Sequence, residues 1–451
     1  MSSLVKVVSD ILSSIAQSVI DVSKDHLTAL IDEAYKTYYR VNRFSNPKYS
    51  IIAFTDAGVY PLDFDVASLL YIQIGSLIRV GSSLKSIHYI PQFRDGNYPP
   101  IERILLSVTR RRRIEGDREV YVFDVEVRTP ERKSILFGDY EGAISASRRI
   151  TRTLDYIGLR VEYKSSSMYW KLTKYIEGLI ELAYSIRILQ YSNDVSRVVV
   201  DGTLVRWLRP GRGRVSFEGR GDGVDILAAI LDESVGVIKK YLLNSITGLS
   251  KTTSFTTISR SMSIFRNHIE PGKKLYEYYT TVNTQNLNNL SRLLLMAEIN
   301  GFEGSPRISH EVVVSIIKKF NTCVYPSHGI WVARFPITMD GSHIMVLDVY
   351  TDKPIVSYDI KANTGIAQEV NKRVTESVSE IFYAKSPIPG RPPTGLMELD
   401  EQVRVTSEVR RDIESYMVAA VLRGRVADDS VKWSIVQNIL GSSRMRFGYT
   451  G

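Results

Sequence analysis

Apolar positions recur along this chain in two rhythms, and the switch between them predicts its elements. Over residues 5–40 apolar side chains return every three or four positions: Val8, Leu12, Ile15, Val19 and Val22, then Leu27, Leu30, Ile31 and Ala34. That spacing predicts a helical arm, broken at Asn42-Arg43-Phe44-Ser45-Asn46-Pro47. Tyr49 to Thr55 is instead a short apolar run closed by Asp56-Ala57-Gly58, and Ala67 to Val80 is a longer one. The pair reads as two buried strands joined by a turn. Residues 119–128 alternate through Val120, Val122, Val125 and Val127 as another strand. Leu172, Ile176, Leu179, Ile180 and Ala183 predict a long helix over 168–190, and Val198-Val199-Val200 a short buried strand ended by Asp201-Gly202. Residues 209–223 are Gly- and Arg-rich and read as a loop, and 224–244 as helix. Strand-like runs at 330–335 and 344–350 flank the turn Asp340-Gly341-Ser342, and a Pro-rich break from Ser386 to Pro393 precedes a helix over 406–422. Strands alternating with helices predict an α/β core.

Composition narrows the class. The 451 residues carry 44% hydrophobic and 24% charged side chains, which excludes wholesale disorder and fibrous repeats. The single cysteine, Cys323, excludes a disulfide framework and a multi-Cys zinc ribbon, and fits a reducing compartment. Residues 1–20 lack a continuous apolar core because Ser9, Asp10, Ser13, Ser14 and Gln17 interrupt it. The longest apolar stretch, Val66 to Ile78, is broken by Ser68, Gln73 and Ser76. The expectation is a soluble, cytoplasmic protein without a membrane partner. The formal charge of +9, from 58 Lys+Arg against 49 Asp+Glu, permits a polyanionic partner without demanding one.

The chemistry-bearing feature is a pair of acidic residues at strand ends, Asp56 after Ile51–Thr55 and Asp201 after Val198–Val200. Ligands of open α/β sheets bind at the carboxyl edge of the strands. Two carboxylates gathered there repel unless a divalent cation neutralises them, and oxygen-only ligands suit Mg²⁺ or Mn²⁺ rather than zinc. A third carboxylate from the preceding helix, Glu177 or Glu181, would complete a site for metal-assisted phosphodiester hydrolysis. The plainer alternative is that Asp-Gly after a strand is a turn. At about 100° per residue, Glu181 falls roughly opposite Leu172, so a solvated surface Glu is the default reading there.

Several segments together resemble the NurA family, archaeal nucleases that work beside the HerA hexameric translocase. They are Ile52-Ala53-Phe54-Thr55-Asp56-Ala57-Gly58, Glu181-Leu182-Ala183-Tyr184-Ser185, Val198-Val199-Val200-Asp201-Gly202-Thr203-Leu204, Gly248-Leu249-Ser250-Lys251-Thr252, the hairpin Trp331 to Asp348, and Leu396-Met397-Glu398-Leu399-Asp400 with Val403-Arg404-Val405-Thr406. Order and spacing hold from about residue 50 to 410. The resemblance implies an RNase H-like α/β core with a mixed central sheet, a homodimer, and manganese-dependent (or Mg²⁺-dependent) cleavage of DNA from 5′ ends in end resection. The nuclease domain would span 46–425, with the helical arm over 1–45 and a tail over 426–451 outside the resemblance. Carried over by position, Asp56, Glu181 and Asp201 would be the metal-binding carboxylates, and Lys251 a charge stabiliser near the scissile phosphate. Two positions depart from the family pattern: its late Tyr and His fall at Pro392 and Asp400. Proline has no hydroxyl, and a carboxylate cannot serve phosphate as a cation. Asp400 is then either a further metal ligand or, on the duller view favoured by the sequence alone, a degraded motif position. The rival function is a catalytically inactive DNA-binding adaptor of the same helicase complex. An RNase H-like ribonuclease is a third option.

Other chemistry finds little support. The six histidines are scattered without metal-ligand spacing, and no Gly-x-Ser-x-Gly surrounds any serine. Arg206, Arg209, Arg212, Arg214 and Arg220 face one acid, Glu218, across 203–220. With interleaved glycines and with Trp207 and Phe217 for stacking, this stretch is a candidate nucleic-acid contact, or else a solvated loop. The knot Arg110–Arg113 reads as a solvated hairpin turn.

Overall fold

In the computed structural model of the chain, the strand that begins at Ile51 does not stop at Asp56. It runs on to Phe64, and its hairpin partner is in register from Ile52 against Arg79 to Phe64 against Ala67. Asp56-Ala57-Gly58 is therefore mid-strand, not a turn. The structure describes residues 6, 38–40, 50–64, 67–94, 97–115, 118–161, 167–204, 206, 215–217, 221–251, 278–280, 328–337, 345–352, 356–359, 364–367, 372–388, 391–424, 429 and 432. Most of the predicted arm, the loop positions Arg209, Arg212, Arg214 and Arg220, the Asp340-Gly341-Ser342 turn and most of the tail lie outside these residues. Tyr38–Arg40 is a strand rather than the end of a helix, paired with Tyr278–Thr280.

Along the chain the principal elements are β1 (Ile51–Phe64), β2 (Ala67–Val80), β3 (Ser83–Ser86), β4 (Ile101–Glu115) and β5 (Arg118–Arg128). Helices α1 (Tyr140–Ile157) and α2 (Ser167–Tyr191), strand β6 (Val195–Asp201), helices α3 (Gly223–Leu231) and α4 (Val235–Ser245) and strand β7 (Ile246–Ser250) follow. Then come β8 (Trp331–Ile337), β9 (Met345–Thr351), α5 (Lys372–Tyr383), α6 (Leu396–Val403) and α7 (Ser407–Leu422). The segment read as one helix over 224–244 is two, because Asp232 takes a left-handed conformation (φ 58°) that ends α3. Arg110–Arg113 lies within β4, opposite Phe123 to Val120 of β5, and is not a turn.

The elements form two compact units. One comprises residues 49–201, 205–246 and 394–451; the other comprises 1–48, 202–204 and 247–393. The first holds a mixed sheet in the order β5-β4-β2-β1-β6. Its neighbours are antiparallel except β1 and β6, which run parallel from Ile52 against Arg197 to Thr55 against Val200. Four long strands in an antiparallel meander, then two helices leading to a strand parallel to the first, make the expected α/β class, a mixed central sheet with flanking helices. Phe54, Leu70, Ile72, Ile74, Ile78, Ile104 and Leu106 are buried at its centre. The outer edge of β5 is closed by hydroxyls of α1: Val125 N donates to Thr151 Oγ1 at 3.0 Å and Val127 N to Ser147 Oγ at 2.7 Å. Edge amides that meet side-chain acceptors are withdrawn from pairing with another chain.

Helix α2 departs from the amphipathic reading. Every residue from Leu172 to Ile186 except Lys174 is buried, as happens when a helix is covered on all sides. Glu177 and Glu181, expected at its solvated side, are 6% and 4% exposed.

In the second unit β7, β9 and β8 form an antiparallel sheet, with Gly248 opposite Asp348. Asp348 is fully buried and accepts from Thr203 Oγ1 at 2.6 Å and Leu204 N at 3.0 Å. Gly202 N donates to Leu249 O at 3.0 Å, and Tyr350 OH to Leu204 O at 3.0 Å. The hairpin residue Asp348 thus fixes segment 202–204. Among the described residues no helix is long and apolar enough to cross a membrane.

Candidate metal centre

Strand β6 ends one residue after its last pairing with β1, so Asp201 emerges level with Asp56 where β1 continues without it. One carboxylate is thus at a strand end and the other is beside it in mid-strand. Asp56 is 7% exposed, and its Oδ1 accepts from Ala57 N at 2.8 Å.

The third carboxylate comes from α6, and glycines explain how. A Cβ on Gly58 would lie 1.8 Å from the carbonyl oxygen of Val403, so only glycine lets the C-terminal end of α6 rest on β1. At the other end Gly395 has φ 108°, and a Cβ there would meet Phe54 Cδ2 at 2.5 Å. Its amide donates to Glu398 Oε2 at 2.5 Å, capping the first turn of α6. Leu396, Leu399 and Val403 bury the face between those ends. Asp400, one turn after Leu396 and three residues before Val403, is carried along. Carboxylate oxygens of Asp56, Asp201 and Asp400 all lie within 4.8 Å of one another. The position read from the sequence as a degraded motif site thus stands beside Asp56 and Asp201 in a carboxylate trio. Its own partner Arg404, at 3.4 Å, is a loose surface contact.

Glu181 does not join that trio; its carboxylate is paired to Arg206. Arg206 Nη1 donates to Glu181 Oε2 at 2.5 Å, and Arg206 Nη2 donates to the carbonyl oxygen of Asp201 at 2.7 Å. The side chains of this pair are 14% and 5% exposed. Gly178, one turn before Glu181, gives the guanidinium room: a Cβ there would sit 3.2 Å from Arg206 Cδ and 3.3 Å from Nη1. Glu181 Oε1 is buried and makes no hydrogen bond among the described residues. Burial raises the Glu181 pKa to about 8; Arg206 opposes this, while the carboxylates of Asp56 and Glu177 add to it. Glu177 is paired to Lys174 at 2.8 Å.

Arg206 is therefore a partner of buried acid and of a carbonyl, not an exposed phosphate contact as the sequence suggested. Arg209, Arg212 and Arg214 lie outside the described residues. Lys251 follows directly on β7 in the second unit. This donor set would suit a divalent cation: three carboxylates with oxygens within 4.8 Å of one another and no nitrogen or sulfur among them. The overlooked signal for Asp400 was the spacing of Leu396, Leu399 and Val403, which turns one helical face to the sheet.

No protein-family model matches the chain, and no curated protein sequence matches it. Similar solved structures include the NurA nuclease from Sulfolobus solfataricus, at 11% identity over 93% of this chain and 98% of that one, with a TM-score of 0.40. A NurA structure with manganese shares 10% identity over 92% and 97%, at 0.34. One bound to dAMP and manganese shares 11% over 92% and 95%, at 0.31.

Proposed function

We propose that the chain is a divalent-metal-dependent DNA nuclease, with Asp56, Asp201 and Asp400 as its metal-holding carboxylates. The observation that carries this reading is the convergence of three acids from β1, β6 and α6, held together by glycine-mediated packing although they repel one another. Proteins retain such unfavourable charge where function uses it. When bound, Mn²⁺ or Mg²⁺ supplies Lewis acidity at a phosphodiester oxygen. The chain's own residues orient that group: the sheet fixes Asp56 and Asp201, and α6 fixes Asp400. Lys251 is assigned to a developing phosphate charge, and Arg209, Arg212 and Arg214 to the nucleic-acid backbone.

DNA as substrate, 5′-end polarity, a homodimer, a HerA-type hexameric translocase as partner and a role in end resection belong to the same proposal, supported by the ordered motifs. The inactive-adaptor alternative rests on Pro392 and Asp400 standing at the family's Tyr and His; Asp400 beside Asp56 and Asp201 favours the nuclease reading. The test is manganese-supplemented cleavage of labelled DNA and a matched RNA by wild type and Asp201→Ala. The expected result is DNA cleavage abolished by chelation and by the substitution. Undiminished cleavage by Asp201→Ala overturns the assignment.

A further inference from the structure

The acidic centre contains more negative charge than one metal site uses. Glu181 is buried beside Asp56, and a fourth carboxylate there would ordinarily recruit a second divalent ion. The structure instead gives it a guanidinium in a prepared seat. Arg206 reaches Glu181 Oε2 with Nη1 at 2.5 Å and the Asp201 carbonyl oxygen with Nη2 at 2.7 Å. Gly178 leaves the space in which its side chain lies. The contact to the Asp201 backbone matters, because it joins the cation to the strand end that presents a metal ligand. A planar fork makes both bonds at once; an ammonium would lack that geometry.

We propose that Arg206 is a built-in counter-cation standing where a second divalent ion would bind, so that the chain holds a single ion at Asp56, Asp201 and Asp400. The inference rests on reading that trio as a cation site. Arg206 is thus a positioning residue: it keeps Glu181 out of the ligand set.

The experiment counts Mn²⁺ bound to the full chain by electron paramagnetic resonance of the free ion, with calorimetry for affinity. It is run above pH ~8, since ligand carboxylates must be deprotonated. Wild type is expected to bind one ion. Arg206→Gln, which leaves Glu181 without its cation, is expected to bind two. The double variant Arg206→Gln with Glu181→Gln is expected to return to one, with a dissociation constant within about threefold of wild type, because it removes a pair of no net charge. Arg206→Gln remaining at one ion overturns the proposal. So does a first-ion affinity about tenfold or more weaker in the double variant, equivalent to about 1.4 kcal/mol, because Glu181 is then a ligand. The double variant decides the matter even if Arg206→Gln alone does not fold. Wild type binding no ion sinks the reading of the trio itself, an outcome separable from failure of the Arg206 assignment.

Discussion

Two buried glutamates on the same sheet unit show how differently one side chain can be used. Glu102 on β4 is fully buried and fully satisfied: Ser134 Oγ donates to its Oε1, Ile135 N to Oε2 at 3.0 Å and Leu136 N to Oε2 at 3.4 Å. It lashes the 134–137 turn to the sheet. Glu181 on α2 is as deeply buried but has one oxygen on Arg206, the other without a hydrogen bond among the described residues, and acids around it. Burial raises both, Glu102 to about 7 and Glu181 to about 8. The similarity of those values hides the difference in kind. At Glu102 every donor points to the carboxylate, as in a structural anchor; at Glu181 the local charge is left unbalanced, as at a binding site.

The largest effect is expected at Glu102. Glu102→Ala strands Ser134, Ile135 and Leu136 as buried donors, and the expected loss is about 4 kcal/mol of unfolding free energy in urea titrations. A loss below about 1 kcal/mol would mean that the turn detaches at no cost and anchors nothing.

Glu102→Gln sharpens the same point through pH. Because its folded pKa of about 7 exceeds the ordinary 4.5, the folded state binds more protons than the unfolded state between those values. Stability is then highest below 4.5 and falls as pH rises through about 7, by about 3 kcal/mol from this group. The amide mimics the protonated acid: its NH₂ donates to Ser134 Oγ and its carbonyl accepts from Ile135 N. The variant is expected to lose that drop and keep the one from Glu181, which continues to about pH 8. An unchanged stability-pH slope would show that Glu102 stays ionised.

Much of this fold is legible as pattern. The strands at 67–80 and 119–128, the helix over 168–190 and the helix over 406–422 emerge within a residue or two of their periodicity. The errors cluster where a residue answers to a distant partner. Gly58 looks like a turn glycine because local chemistry favours that role, yet its missing Cβ serves the carbonyl of Val403. Glu181 looks solvated because one apolar stripe was assumed, whereas α2 is buried all round. Arg206 looks like a phosphate contact among neighbouring arginines, and nothing local shows that Glu181 claims it. At Asp400 pattern and family expectation diverge: the family position suggests a lost histidine, while the apolar spacing of Leu396, Leu399 and Val403 aims this turn at the sheet.

The smallest effect is expected at Asp400, whose side chain is partly exposed, so that its neutralisation disturbs little packing. Without metal, Asp400→Asn removes one of three mutually repelling charges and the loose Arg404 pair, which a half-exposed contact makes worth little. The net is expected to be a stabilisation of about 0.5 kcal/mol, after solvent screening. Adding Mn²⁺ reverses the order: wild type gains stability by ligand linkage, while the variant, one hard oxygen charge poorer, gains less. A structural acid such as Glu102 shows the opposite behaviour, since replacing it costs stability whether or not Mn²⁺ is present. Thermal melts of both chains with and without Mn²⁺ therefore separate the two roles. An Asp400→Asn chain that is destabilised in the absence of metal and stabilised equally in its presence would make Asp400 an anchor rather than a ligand.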